Sequence, residues 1–446
     1  VTRWSKPRVR WPWRPATVLC LLGLAATLFA GGAAFLPPTG AAPTVPVDGP
    51  GQESRPAAHD RIEGLRTRLR RLPTDHAGWA ELGVLYVQRA QHSADPQFYA
   101  KAEQALRRSL GLRQKDNHLA MMGNGALAAA RHEFSDAAAW ARKALAAHPG
   151  HTASYGVLAD ALLQLGRYDE AFQATQDMVD RQPATPSLAR ASYAWELRGD
   201  TSRASALMRR ALRSASTPAD AVFARLHLAL LALNDGRPKE ALKGIEQGLR
   251  VEPDHPTLLG ARARAHRALG DPDAAVADYR AAIDRVPHPS LLLEMGELLQ
   301  AQGRTEQARE HYDLFRTTSG LFRQEGVAAD AEEVLFEADH GQPARAVRLG
   351  REAAADRPFL ATLDAYAWSL HKVGQHGQAL PWANAALELG TRSALFHYHR
   401  GMIHHALGHR ASARTDLERA LDIDPHFHPL HAPRARTALD EIGPAQ

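Results

Sequence analysis

Glycine returns along this chain at a nearly fixed interval. Gly166, Gly199, Gly236, Gly270, Gly303, Gly341, Gly374 and Gly408 are spaced 33, 37, 34, 33, 38, 33 and 34 residues apart. A period in this range marks stacked supersecondary units. Such a stack is quasi-one-dimensional, and what it builds is a long curved surface. The chain is therefore expected to hold partners, not to make or break bonds.

Residues 151–183 show what one unit contains. Tyr155, Leu158, Ala159 and Leu162 fall at i, i+3, i+4 and i+7, the stripe of an amphipathic helix. Gly166 follows, where a helix commonly ends in the left-handed conformation that glycine adopts cheaply. A second stripe runs through Ala171, Thr175, Met178 and Val179, and Pro183 stops it. The unit reads as helix, turn, helix, stop. Small residues pair between its two helices as Ala159 with Ala171, Ala229 with Ala241, Ala263 with Ala275, Gly296 with Ala308, Ala367 with Ala379 and Gly401 with Ala413. They let the helices approach closely. Proline recurs at the unit end, as at Pro253, Pro287 and Pro425. It also stands in the first turn of second helices, at Pro238, Pro272 and Pro343, where no hydrogen bond is lost.

These residues resemble the tetratricopeptide-repeat family. Trp79, Leu82, Gly83 and Tyr86 match that family's first-helix signature, and Ala420, Leu421 and Pro425 its second-helix signature. About ten units fit residues 74–425. The resemblance implies an all-α fold, a right-handed superhelical solenoid of helix-turn-helix repeats over residues 59–426. Residues 427–446 are expected to supply a capping helix and tail, the cap lying at 433–442 with a polar outer face. The first unit carries about seven extra residues near 88–97, and short insertions fall before Phe223 and near 319–324. Unit 326–358 has Asp330 and Glu333 where apolar residues are expected, which predicts looser packing or a bend.

The net charge of +5 is not a nucleic-acid signature. Arg3, Lys6, Arg8, Arg10 and Arg14 precede the first acidic residue, Asp48, and setting them aside leaves 49 basic against 49 acidic residues. No broad phosphate-binding field remains, so no nucleic-acid partner is expected. Residues 1–15 read as a basic cytoplasmic region with interfacial tryptophans. Residues 16–36 are uncharged, nearly all apolar, and long enough to cross a bilayer. They are expected to act as a retained signal anchor or as a cleaved signal peptide. Gly32 and Ala34 offer a small-x-small cleavage pattern. Residues 37–58 are proline-rich and read as an extended tether. The array is thus expected outside the cytoplasm of a bacterial cell, held to the membrane or secreted. Cys20 is the single cysteine, so the array has no disulfide. Leu19 before it departs from a lipoprotein site.

No phosphate loop, dinucleotide fingerprint, nucleophile elbow or HExxH occurs, and no cofactor is implied. In this family the inner surface is lined by first-helix residues. By repeat phase these include Asp160, Tyr193, Arg264, Arg267, Glu297, Trp368, His371, Tyr398, Met402 and His405. Aromatic residues flanked by charge suit capture of an extended peptide or helix. Trp368 and Tyr398 fit inter-repeat packing equally well. Ten of the 23 histidines lie between His371 and His431, and His371 and His405 occupy the same place in successive first helices. Imidazole is a common metal ligand. The leading function is a non-catalytic extracytoplasmic scaffold that binds a protein or peptide in the concave groove. The alternatives are a metal-handling accessory protein using His371 and His405, and a non-catalytic subunit of an envelope enzyme complex.

Overall fold

The computed structural model describes residues 56–93 and 95–443. The expected basic region, the apolar stretch 16–36 and the expected tether up to residue 55 lie outside them. Helix begins at Pro56, within the stretch expected to be tether up to residue 58. Among the described residues there are 22 helices and no strand, and no helix is long and apolar enough to cross a membrane.

After α1 (Pro56–Arg71) the helices come in antiparallel pairs. The first four pairs are α2 (His76–Ser93) with α3 (Gln97–Leu112), α4 (His118–Ala130) with α5 (Phe134–Ala147), α6 (Thr152–Gln164) with α7 (Tyr168–Arg181), and α8 (Thr185–Leu197) with α9 (Thr201–Arg213). Three more are α10 (Pro218–Asn234) with α11 (Pro238–Leu249), α12 (Pro256–Ala268) with α13 (Pro272–Arg285), and α14 (Pro289–Ala301) with α15 (Thr305–Gln324). The last are α16 (Ala331–Asp339) with α17 (Pro343–Asp356), α18 (Leu360–Lys372) with α19 (His376–Ala386), and α20 (Ala394–Ala406) with α21 (Arg410–Ile423). A single helix, α22 (His431–Ile442), closes the stack.

Local chemistry sets these boundaries. Asp200 and Asp271 cap α9 and α13 by accepting from Arg203 N at 2.9 Å and Ala274 N at 3.0 Å. Pro238, Pro272 and Pro343 occupy the first turn of their helices. Ala159, Ala171, Ala241, Ala263 and Ala275 are all fully buried between paired helices. A Cβ at Gly296 would stand 2.5 Å from the Tyr312 ring, so only glycine lets α14 and α15 come this close.

The insertions extend helices and do not form loops. α2 has 18 residues, α10 has 17 and α15 has 20, against 13 and 14 in the regular pair α4 and α5. The unit at 326–358 is short and tightly ion-paired, not loosely packed. Asp330 caps α16 by accepting from Glu333 N at 2.9 Å. Buried Glu333 pairs with Arg323 and with Arg345, the latter at 3.2 Å. Glu337 takes Arg345 at 3.0 Å. Gly341 is not among the glycines with positive φ, unlike Gly166, Gly199, Gly236, Gly270, Gly303, Gly374 and Gly408.

The stack also closes on itself. Turns within early units meet turns between later units, in matching order along the chain. His132 Nδ1 lies 2.9 Å from Ala328 O. Leu360 N donates to Tyr168 Oη at 3.1 Å. Thr391 Oγ1 donates to Leu197 O at 2.6 Å, across 194 residues. Arg392 pairs with Asp235 at 3.3 Å, and Arg267 Nη1 donates to His426 O at 2.8 Å. An apolar core follows this seam, joining Leu162, Leu163, Tyr193 and Leu197 to Phe359, Leu360, Leu363 and Phe396. The array is therefore bound edge to edge one superhelical turn later, and is more than a row of nearest neighbours.

Candidate functional site

Seam closure draws the first helices of distant units around one interior. Residues 424–430, between α21 and α22, cross this interior in irregular conformation. They are held by the Arg267–His426 bond and by His428 Nε2 against Glu297 Oε2 at 3.0 Å. Below them lies a cavity of about 160 Å³. Its walls come from α12 (Arg264, Arg267), α14 (Leu293, Glu294, Glu297), α16 (Glu332, Leu335, Phe336, Asp339) and α20 (Leu395, His399). Asn234, Tyr279, Asp424, Phe427, His428 and His431 also line it.

The walls are charged and mostly engaged. Burial alone raises the Glu297 carboxyl, but His428 and His340, the latter 3.1 Å away, outweigh it and hold Glu297 well below the carboxylate range. Asp339 is likewise held down against burial by His431 at 3.3 Å and Lys372 at 3.1 Å, and it also accepts Trp368 Nε1 at 3.0 Å. Burial and nearby His428 push the His431 imidazole down to about 3, so it donates Nε2 to Asp339 as a neutral ring. Glu294 accepts the Tyr279 hydroxyl at 2.8 Å. Glu332 is different. Burial first, then Asp330, Glu294 and Glu297, raise its carboxyl well above the usual range.

The residues expected in a groove separate into three groups. Arg264, Arg267 and Glu297 line the cavity. Asp160 and Tyr193 belong elsewhere. Asp160 forms a buried pair with Arg190 at 2.9 and 2.7 Å, and Tyr193 packs into the seam. Trp368 and Tyr398 are 2% and 1% exposed, so neither presents an open groove face. They form an inter-unit ladder. Trp368 stacks on His399 at 4.2 Å and on His371 at 4.8 Å, and Tyr398 stacks on His431 at 4.8 Å. Met402 packs against the same cluster, and His405 reaches Glu441 of α22 at 3.3 Å. His371 Nδ1 faces His376 Nδ1 at 3.0 Å, so His371 and His405 have separate partners. Among the described residues, no group of three or more His, Cys, Asp or Glu is placed to hold a metal ion. His118, His148 and His151 do gather, with ring centres 4.6 to 6.1 Å apart, as a ring-packing cluster.

The polar cavity residues not expected from the sequence include Asn234, Tyr279, Glu294, Glu332, Asp339, His399, His431 and those of the crossing at 424–430. The signal for α16 was present as its run of acidic residues. The crossing left no periodic signal.

Three stretches match tetratricopeptide-repeat families, at residues 128–195, 261–320 and 394–427. A curated relative, cellulose synthase operon protein C of Pseudomonas fluorescens (strain SBW25), is 30% identical over 176 residues. That match covers 37% of this chain and spans only 13% of the relative's length. Among solved structures, a tetratricopeptide repeat protein from Parabacteroides merdae ATCC 43184 is similar with a TM-score of 0.34 and 19% identity, over 58% of this chain and 98% of that one. The APC/C hetero-tetramer Cut9-Hcn1 gives 0.40 and 13%, over 87% and 90%. The three matched stretches fall on helix pairs of the array, and those pairs are tetratricopeptide repeats.

Proposed function

We propose that this chain is a non-catalytic scaffold that holds a protein partner in the interior cavity between α12, α14, α16 and α20. The observation that carries this reading is the cavity itself. It is concave, it mixes apolar and charged walls, and it is built by first helices from units far apart in sequence. Repeats of this family mediate protein–protein interaction, which supports the same assignment. The array acts outside the cytoplasm, tethered through residues 16–36. The five cations before that apolar stretch support this orientation.

The test places a photo-crosslinking residue at Leu395, in the cavity wall, and separately at exposed Trp382. A protein captured in cells from Leu395 and not from Trp382 is the expected result. Equal capture from both positions, or none from Leu395, would overturn the assignment. Protease added to intact spheroplasts is expected to cleave the array; full protection would place it on the other side of the membrane.

A further inference from the structure

We propose that the cavity receives an organic cation on an alkyl stem, a lysine or arginine side chain presented by the partner. This rests on the scaffold reading and specifies what the partner brings.

The groups left open in the wall are mainly acceptors. Among the described residues, Glu294 uses its Oε2 on the Tyr279 hydroxyl and forms no ion pair, and Glu332 lines the cavity with no hydrogen bond or ion pair of its own. It stands in the first turn of α16, where the helix dipole favours an ionised carboxylate, yet it is surrounded by acidic neighbours. His431 spends Nε2 on Asp339, and among the described residues its buried Nδ1 has no partner. A buried acceptor without a donor is costly, and a carboxylate without a counter-charge more so. An ammonium brings three donors and a guanidinium five, each with the charge the site lacks.

The other charges have neighbours. Arg267 donates to the His426 carbonyl, Arg264 reaches Asn234 Oδ1 at 3.5 Å, and Asp424 lies near both. Glu297 has two imidazoles and Asp339 has Lys372. The uncompensated part of the wall is therefore the Glu294–Glu332 side. Leu335, Phe336 and Phe427 also line the cavity, and they suit an alkyl stem better than an inorganic ion.

The raised Glu332 carboxyl supplies a signature. A cation beside it favours ionisation, so binding near neutral pH releases a proton. The probes are cadaverine and agmatine, titrated calorimetrically into the purified array in buffers of different ionisation enthalpy. Saturable binding of at least one, with release of about one proton per site, is expected. Glu332→Gln mimics the protonated carboxyl, so the array should stay folded. It should bind at least about tenfold more weakly and without proton release. No saturable binding of either cation, or unchanged affinity in Glu332→Gln, would overturn the proposal. Because the probes need no partner, that failure is separate from a failure of the crosslinking test.

Discussion

The Thr391 hydroxyl donates to the main-chain carbonyl of Leu197 at 2.6 Å, and both groups belong to the seam. Thr391 is 3% exposed, so water does not replace the bond when it is removed. Thr391→Val should cost about 1–3 kcal/mol through the orphaned carbonyl. Hydrogen exchange should rise in both α8 and α20. Loosening of α20 alone would show that the seam does not couple the two units.

Two glycines with the same backbone conformation separate strain from contact. Gly166 has φ +67, and an added Cβ would stand 2.9 Å from Pro358 O. Gly270 has φ +83, with nothing within 4 Å of such an atom. Gly270→Ala should cost the left-handed penalty alone, about 1–2 kcal/mol. Gly166→Ala should lose measurably more in urea unfolding, because it also displaces the seam. Equal losses would remove the contact contribution.

Glu196 gives the seam a pH dependence. Burial, and then Asp235, raise its carboxyl to about 8. The folded chain thus holds this proton to higher pH than the unfolded chain does. Stability from this group is complete below the unfolded value near 4.5 and is lost as pH rises toward about 8. Glu196→Gln should melt higher than the parent at pH 8, and the difference should fade by pH 4. A difference independent of pH would assign the effect to packing alone.

Replacing the ladder aromatics should damage the fold. Trp368 is buried, stacks on two imidazoles and donates to Asp339. Trp368→Ala should cost about 3–5 kcal/mol. Near-ultraviolet circular dichroism should report loss of packing around α18–α22. A native-like spectrum and an unchanged urea midpoint would contradict the interior placement.

The helix pairs were legible because each unit writes its own stripe, stop and small-residue contact within a short stretch of sequence. The insertions were legible in place but not in form, since extra residues at 88–97 or 319–324 fit a longer helix as well as a loop. Arg264, Arg267 and Glu297 were found by repeat phase because phase fixes which face of a first helix turns inward. Trp368 and Tyr398 share that phase, and only the tertiary structure shows that α22 and neighbouring histidines cover them. The seam was illegible for a simple reason. Its partners, such as His132 with Ala328, are 196 residues apart and form no local pattern.

Edge-to-edge closure changes what a repeat protein can tolerate. An open array can gain or lose one unit at the expense of one neighbour interface. Here turns inside units between Arg131 and Arg267 are held to segments between Ala328 and His426 in chain order. Removing a unit between the two edges would offset all later pairings by one step, as a slipped strand misplaces every side chain in a sheet. Length has thus become a matter of register, and the number of units is a fitted quantity.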